Sequence, residues 1–361
     1  MTNVLVFISS LTCHLFEMAL KELYYNFWCL RVFVANRFRI KIIRMCTEIS
    51  AKNIFTSLFS LSITLLILAT PALGTRLVRV KPLFEITEKL VAPSDVAVSN
   101  NGWIYIVDGT NHKIRIFDQN GKWISSFGGR GSGNGQFSFP LGIDIDGSGK
   151  VYIADSGNHR IQIFNSKGEF IEALDIPSNN NMPADPTDVA VDETRNRCYI
   201  VDNDNHSIQV YNLSTLKKIT TYGSPGTGKR QFRYPFFMTL NPKKYLYIVD
   251  VINTRVQVLN PDGLFVTFIG GWGVEKGRFF RPKGVAVNTA GRIFVSDSYM
   301  GVIQVFDASG NFYAVVGDAK QHAAKKFKTP AGIFIDRNNR LYVVEMFANK
   351  VSVYLIQGDT E

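Results

Sequence analysis

The sequence predicts an all-β protein, a six-bladed β-propeller of four-stranded antiparallel blades, preceded by a signal peptide or signal anchor. Three observations carry this. A short β-run closed by an acidic residue recurs six times, at Asp108, Asp155, Asp202, Asp250, Asp297 and Glu345, with spacings of 47, 47, 48, 47 and 48. A proline precedes each acid by about fifteen residues: Pro93, Pro140, Pro186, Pro235, Pro282 and Pro330. The composition agrees: 29 Gly, 27 Phe and 14 Tyr favour strands joined by tight turns, and 46% hydrophobic with 19% charged residues excludes a disordered chain or a coiled coil.

Each repeat holds four strand signals. In the second, Gly142–Asp146 alternates, Gly147-Ser148-Gly149 turns, and Val151–Ala154 follows. Asp155–Asn158 turns again, Arg160–Phe164 forms the third strand, and Glu169–Leu174 the fourth after Ser166-Lys167-Gly168. Period-two alternation broken by Gly, Asn and Asp is the hairpin signature. A single meander of this length cannot bury both faces, but meanders packed radially bury them against one another, and a closed ring has no open ends. The sixth repeat ends near Gln357 after three strands, so its outer strand is expected from Leu83–Leu90, ahead of the first repeat.

The segment before the ring reads differently. Ile54–Ala69 is apolar and uncharged, with Lys52 before it and Pro71-Ala72-Leu73-Gly74 after it, the layout of an export signal. Residues 45–74 are therefore expected to be a signal peptide or signal anchor, residues 1–44 an upstream extension without a fold, and residues 75–361 the propeller. The protein is expected to be periplasmic or secreted, or tethered through residues 54–70, with the membrane engaged only through this segment and the propeller itself a monomer. An anchored form would place Arg37, Arg39, Lys41 and Arg44 on the cytoplasmic side. Beyond the signal only Cys198 remains, so neither an intrachain disulfide nor a cysteine zinc site is expected there. It stands where other repeats place Ile, Val or Leu and reads as a buried apolar residue.

Two stretches match a known pattern. Asp155-Ser156-Gly157-Asn158-His159-Arg160-Ile161-Gln162-Ile163-Phe164 and the linker from Phe127-Gly128 through Phe137 to Pro140 resemble the NHL-repeat family, and the likeness runs over roughly residues 83–356. The resemblance implies the six-bladed fold. The family's functions include RNA binding, protein docking and peptide-amidating lyase activity, along with many exported bacterial proteins, so the fold alone does not assign one.

Most recurring polar residues read as architecture. Asp before a tight turn is expected to accept hydrogen bonds from the turn's own amides, and Asn111, Asn158, Asn205 and Asn253 share that explanation. His112, His159 and His206 occupy one register on consecutive blades, too far apart to meet at one zinc ion. Phe137, Phe232, Phe279 and Phe327 each precede a proline by three residues and are expected to wedge between blades. Asp95 and Asp188 lie two residues past their prolines, where Gly142, Gly284 and Gly332 stand in other blades, and could hold a cation or polar ligand near the channel mouth. No nucleophile triad or phosphate-binding loop is present. No catalytic residue, metal site or cofactor is assigned.

Charge placement supplies the functional expectation. The chain carries a formal charge of +10. Beyond residue 74 it keeps 33 basic and 27 acidic residues, and the excess gathers in three inter-blade linkers. Lys229, Arg230 and Arg233 precede blade four; Lys276, Arg278, Arg281 and Lys283 precede blade five; Lys320, Lys325, Lys326 and Lys328 precede blade six. Linkers emerge on one face of a propeller, so these form a basic arc that attracts anions. Phe236, Phe237, Trp272 and Tyr299 break the repeat pattern and, with Phe347 interleaved among the cations, complete the candidate surface. The expected function is an exported, non-catalytic scaffold docking a protein, an anionic polysaccharide or another anionic polymer on this face. Two alternatives are kept: a metal-dependent lyase or lactonase-type enzyme with an axial site, and an RNA-binding module, which the export signal disfavours.

Overall fold

The computed structural model describes residues 76–178, 182–318 and 323–357. The expected extension (1–44), signal (45–74) and tether (54–70), together with Lys320, lie outside the described residues. Among those described, no helix is long and apolar enough to cross a membrane.

Six four-stranded antiparallel units follow one another along the chain. Their first strands are Asp95–Val98, Pro140–Ile145, Pro186–Asp192, Pro235–Leu240, Pro282–Val287 and Pro330–Ile335. Their second strands end on the recurring acids: Ile104–Asp108, Val151–Asp155, Arg197–Asp202, Leu246–Asp250, Ile293–Asp297 and Arg340–Glu345. From the aliphatic or thiol residue that opens the run to the closing acid, each second strand is buried throughout. A strand buried on both faces lies inside a stack of sheets, which is why these runs are continuous Val, Ile, Leu and Tyr rather than alternating. The hydrophobic core accordingly divides into six clusters, each shared by two adjacent blades.

The phenylalanine wedges occupy these clusters. Phe137, Phe232 and Phe279 are fully buried and Phe327 nearly so, at the interfaces of blades one and two, three and four, four and five, and five and six. Glycine makes room for them. Gly223 has φ +94°, and a Cβ there would stand 2.5 Å from the ring of Phe232. Gly128, at φ +95°, stands in the same relation to Phe137. Among the described residues the core between blades two and three holds no phenylalanine; Ile176, Ala184 and the buried Cys198 fill the space. Burial pushes the Cys198 thiol up, so it stays protonated and packs as an apolar group.

The sixth blade takes its outer strand from the other end of the chain. That strand is Leu77–Ile86, beginning six residues before the expected Leu83 and ending four before the expected Leu90. Val80–Ile86 pairs antiparallel with Val351–Ile356, with an irregularity between Pro82 and Phe84. Leu77–Val80 also pairs parallel with Val315–Asp318, the outer strand of blade five. Val78, Val80 and Ile86 are buried. The added N-terminal half therefore joins blades five and six into one sheet.

The recurring acids do more than close their own turns. In each blade the carboxylate accepts an amide hydrogen from the preceding linker: from Val91, Ser138, Asp185, Arg233, Phe280 and Lys328 respectively, at 2.7–3.0 Å. Outside blade five it also takes side chains of its own blade. Asp155 accepts from Arg160 Nε at 2.9 Å, Asn158 Nδ2 at 2.8 Å and Gln162 Nε2 at 2.9 Å. Asp297 alone accepts from its own turn's amides, those of Tyr299 and Met300. The expected turn-capping role is thus corrected for the other blades: the carboxylate ties linker to blade, because a buried carboxylate needs more donors than its own short turn supplies.

Candidate functional site

Two regions can do chemistry: an axial cavity and the face on which the linkers emerge.

The cavity, of about 510 Å3, is lined by the first strands of all six blades. It extends from the turns after those strands, at Asn100, Gly147, Glu193, Lys244 and Arg337, to the level of Asp95 and Asp188. Of the carboxylates that line it, three reach the backbone of the next blade. Asp95 accepts from the Ile143 amide at 3.2 Å, Asp144 from Val191 at 2.8 Å and Asp188 from Met238 at 2.7 Å. Asp188 also accepts from its neighbour Val189, and Asp144 from Ile145. Burial raises all three carboxyls: Asp95 to about 7, Asp144 to about 6 and Asp188 well above the carboxylate range, with the charge of Asp95 adding to Asp188. Backbone amides from neighbouring blades pull the other way without winning. Asp95 lies against Gly332 and Asp188 against Gly142, so the glycines at this register leave room for the carboxylates next door. Among the described residues no group of three or more His, Cys, Asp and Glu is arranged to hold a metal ion.

The three histidines point elsewhere. His112 and His206 accept the amides of Phe139 and Tyr234 at 3.0 and 3.1 Å, and His159 Nδ1 meets the Ala184 carbonyl at 2.5 Å. Each fastens a turn to the following linker.

The linker face is held flat by a second repeated bond. In blades two to six the turn after the second strand donates an amide to a carbonyl one or two residues before the blade proline: Gly157 to Ser138, Asn203 to Asp185, Ile252 to Arg233, Ser298 to Arg281 and Met346 to Thr329. One turn position then projects outward in every blade. It is Thr110, Gly157 and Asp204 in blades one to three, but Ile252, Tyr299 and Phe347 in blades four to six. The last three are exposed by 56%, 67% and 64%. Trp272, in the linker between blades four and five, is exposed by 75%, and Val274 follows it. Tyr299 stacks on Phe280 with ring centres 4.1 Å apart.

The expected binding residues separate on this frame. Arg233, Lys276, Arg278, Arg281 and Lys326 are exposed, and Lys326 Nζ donates to the Met300 carbonyl at 3.0 Å. Lys229 is exposed, with its amine 5.3 Å from the centre of the Phe265 ring. Arg230 is half-buried, its guanidinium 5.7 Å from Tyr222. Lys325 is half-buried beside Tyr354, at 5.1 Å. Lys283 is half-buried with its amine 3.7 Å from the Phe236 ring, and burial, then the charge of Arg281, lowers it to about 8. This cation–π pair bridges blades four and five. Phe237 is buried in the cavity wall and presents nothing to the linker face. Trp272, Tyr299 and Phe347 therefore stand with the exposed cations, while Phe237 belongs to the channel wall and Phe236 and Lys283 pair with each other across blades four and five.

Ile252 and Asp144 were not singled out by the sequence. Ile252 is legible once the turns are aligned by register, where it matches Tyr299 and Phe347. Asp144 hides in the ordinary alternation of Gly-Ile-Asp-Ile-Asp.

Comparison with known proteins agrees with this architecture. A family described as 6-bladed beta-propeller matches residues 87–185 and 281–360, and the NHL repeat matches residues 184–211. The Drosophila melanogaster protein called brain tumor is 27% identical over 140 residues, which is 38% of this chain; the match spans only 13% of that relative's length. Similar solved structures include Staphylococcus aureus virginiamycin B lyase with quinupristin (TM-score 0.54, 15% identity, 75% of this chain and 83% of that one). A Bacteroides thetaiotaomicron protein of unknown function gives 0.57, 17%, 78% and 73%. Kuenenia stuttgartiensis hydrazine synthase gives 0.52, 11%, 74% and 96%. At these identities the likeness concerns the fold alone. Six repeats in one register, six shared cores and these matches together show a six-bladed β-propeller, with residues 184–211 matching the NHL repeat.

Proposed function

We propose that the protein is an exported, non-catalytic docking propeller whose linker face binds an acidic protein. The observation that carries this reading is the change of character at one turn position. Blades one to three present Thr110, Gly157 and Asp204 there; blades four to six present Ile252, Tyr299 and Phe347 beside exposed Arg233, Lys276, Arg278, Arg281 and Lys326. Large apolar side chains clustered on a surface and rimmed by charge mark interaction sites, and exposed aromatics with Arg are the residues that dominate binding energy. The cations would steer an acidic partner and the knobs would hold it.

The test is capture from the native envelope fraction, identification of the captured protein, and titration of that protein with purified variants. Replacing Lys229, Arg233, Arg278 and Arg281 by Glu should slow association and raise the dissociation constant at least about tenfold. Tyr299→Ser with Phe347→Ser should cost a similar factor through faster release. Unchanged affinity in both variants refutes the assignment. The metal-dependent lyase or lactonase reading draws on the axial cavity instead, and stoichiometric bound metal in the purified protein would favour it. Salt-dependent binding of RNA with a sequence preference would favour the RNA-binding reading.

A further inference from the structure

Blade four differs from the others at its outer edge. Its last strand, Phe265–Gly270, ends a four-stranded sheet, and among the described residues its ladder partner is Arg255–Leu259. One row of its backbone N–H and C=O groups thus faces outward. Such an edge is ordinarily blunted by charge, by proline or by covering. Here Leu264–Val274 contains no charged residue and no proline. Leu264, Val266 and Phe268 alternate along it and are all exposed. The outer strands of blades two and three carry Glu172 and Lys218, and that of blade six carries Arg79, Lys81 and Glu85. The outer strand of blade five is paired with Leu77–Val80. Blade one also has an uncharged edge, Trp123–Gly128, but its centre is Ser125-Ser126 and only Ile124 is a large exposed apolar residue.

We propose that two copies of this chain pair antiparallel, edge to edge, through Leu264–Gly270. The sequence selects a second copy as occupant because it is self-complementary about Thr267. A twofold axis there places Val266 opposite Phe268 of the other copy and Phe265 opposite Ile269, aromatic–aliphatic pairs that stabilise antiparallel strands, with Thr267 opposite itself. In a chain of charge +10, an uncharged edge is also where two copies approach without opposed like charges. The cations near the strand sit at its end or over its rings: Arg278 Nη1 donates to the Gly270 carbonyl at 3.4 Å, Arg255 is 4.0 Å from the Phe268 ring and paired with Asp250 at 2.9 Å, and Lys229 is at Phe265. This departs from the monomer expected from the repeats. A single short strand pair buries less than a standard interface, so the dimer is reversible.

Sedimentation equilibrium of the full chain from about 1 to 100 µM tests it. The expected result is a reversible monomer–dimer equilibrium within that range. Val266→Lys should raise the dissociation constant about 100-fold, about tenfold from each copy, because it sets a charge on the paired edge. Its residue is exposed, so the melting temperature should not move. Ile124→Lys, on the edge of blade one, should leave the equilibrium unchanged. A wild-type chain that stays monomeric throughout, a Val266→Lys chain that dimerises as the wild type does, or dissociation by Ile124→Lys would overturn the proposal.

Discussion

The strand Leu77–Ile86 allows a sharp test of how the ring is held. Val78 and Val80 are fully buried in the core shared by blades five and six. Val78→Ala with Val80→Ala removes two methyl carbons at each site. At about 0.8 kcal/mol per buried carbon the transfer loss is about 1.6 kcal/mol per site, and incomplete collapse of the cavity brings it to about 2–2.5 kcal/mol. With the two sites taken as additive, the pair should cost about 4–5 kcal/mol. Unfolding about 280 residues at about 2.1 cal/mol/K each gives an entropy near 0.6 kcal/mol/K, so each kcal/mol moves the midpoint about 2 °C. The double variant should therefore melt about 8 °C lower by calorimetry. Leu83→Ala, at an exposed position of the same strand, should move it by less than about 1 °C. A shift under about 2 °C in the double variant, or an equal shift from Leu83→Ala, would refute the pairing and favour a clasp beginning at Leu83.

Two further outcomes follow from the buried carboxyls. Asp155→Ala leaves the buried Arg160 guanidinium without its 2.9 Å carboxylate and frees the Ser138 amide, and should cost about 3–5 kcal/mol in chemical denaturation; Asp118→Ala, in an exposed turn, is the control. Asp95 binds its proton more tightly folded, at about 7, than at its ordinary 3.8. Its contribution to stability is fully present below pH 3.8 and is lost as the pH rises through about 7, above which both states are ionised. Asp95→Asn keeps an acceptor for the Ile143 amide without the charge, so the variant should melt above the wild type at pH 8 and lose that advantage towards pH 4. Parallel melting curves across this range would show that Asp95 is not held protonated by burial.

Much of the ring was legible because it repeats. The acids, prolines and wedge phenylalanines sit in fixed registers, and each register answers one local demand: a turn, a strand start, a gap between blades. What was not legible is what acts across the repeat. The recurring Asp reaches an amide seventeen residues upstream, a distance no turn motif encodes. The clasp begins at Leu77 because Val78 and Val80 fit a core built from Phe294 and Val316, far along the chain, while Arg76, Arg79 and Lys81 mask the pattern locally. Phe237 stood out because it breaks the repeat, yet its inner strand carries it into the channel wall, and Lys283, read from its basic linker, is half-buried over the Phe236 ring. At the candidate site, charge read from sequence located the face, and only the register of the turns separated its knobs from its walls.

The seam also sets how the ring responds to force. Its strand lies parallel to Val315–Asp318 on one side and antiparallel to Val351–Ile356 on the other. A pull on the chain ahead of Leu77, directed along the strand, loads both ladders in shear, with many hydrogen bonds sharing the strain together. A pull directed across the sheet would peel them one at a time. Were the propeller tethered ahead of Leu77, the orientation of that pull would decide whether the ring behaves as a lock or as a zip.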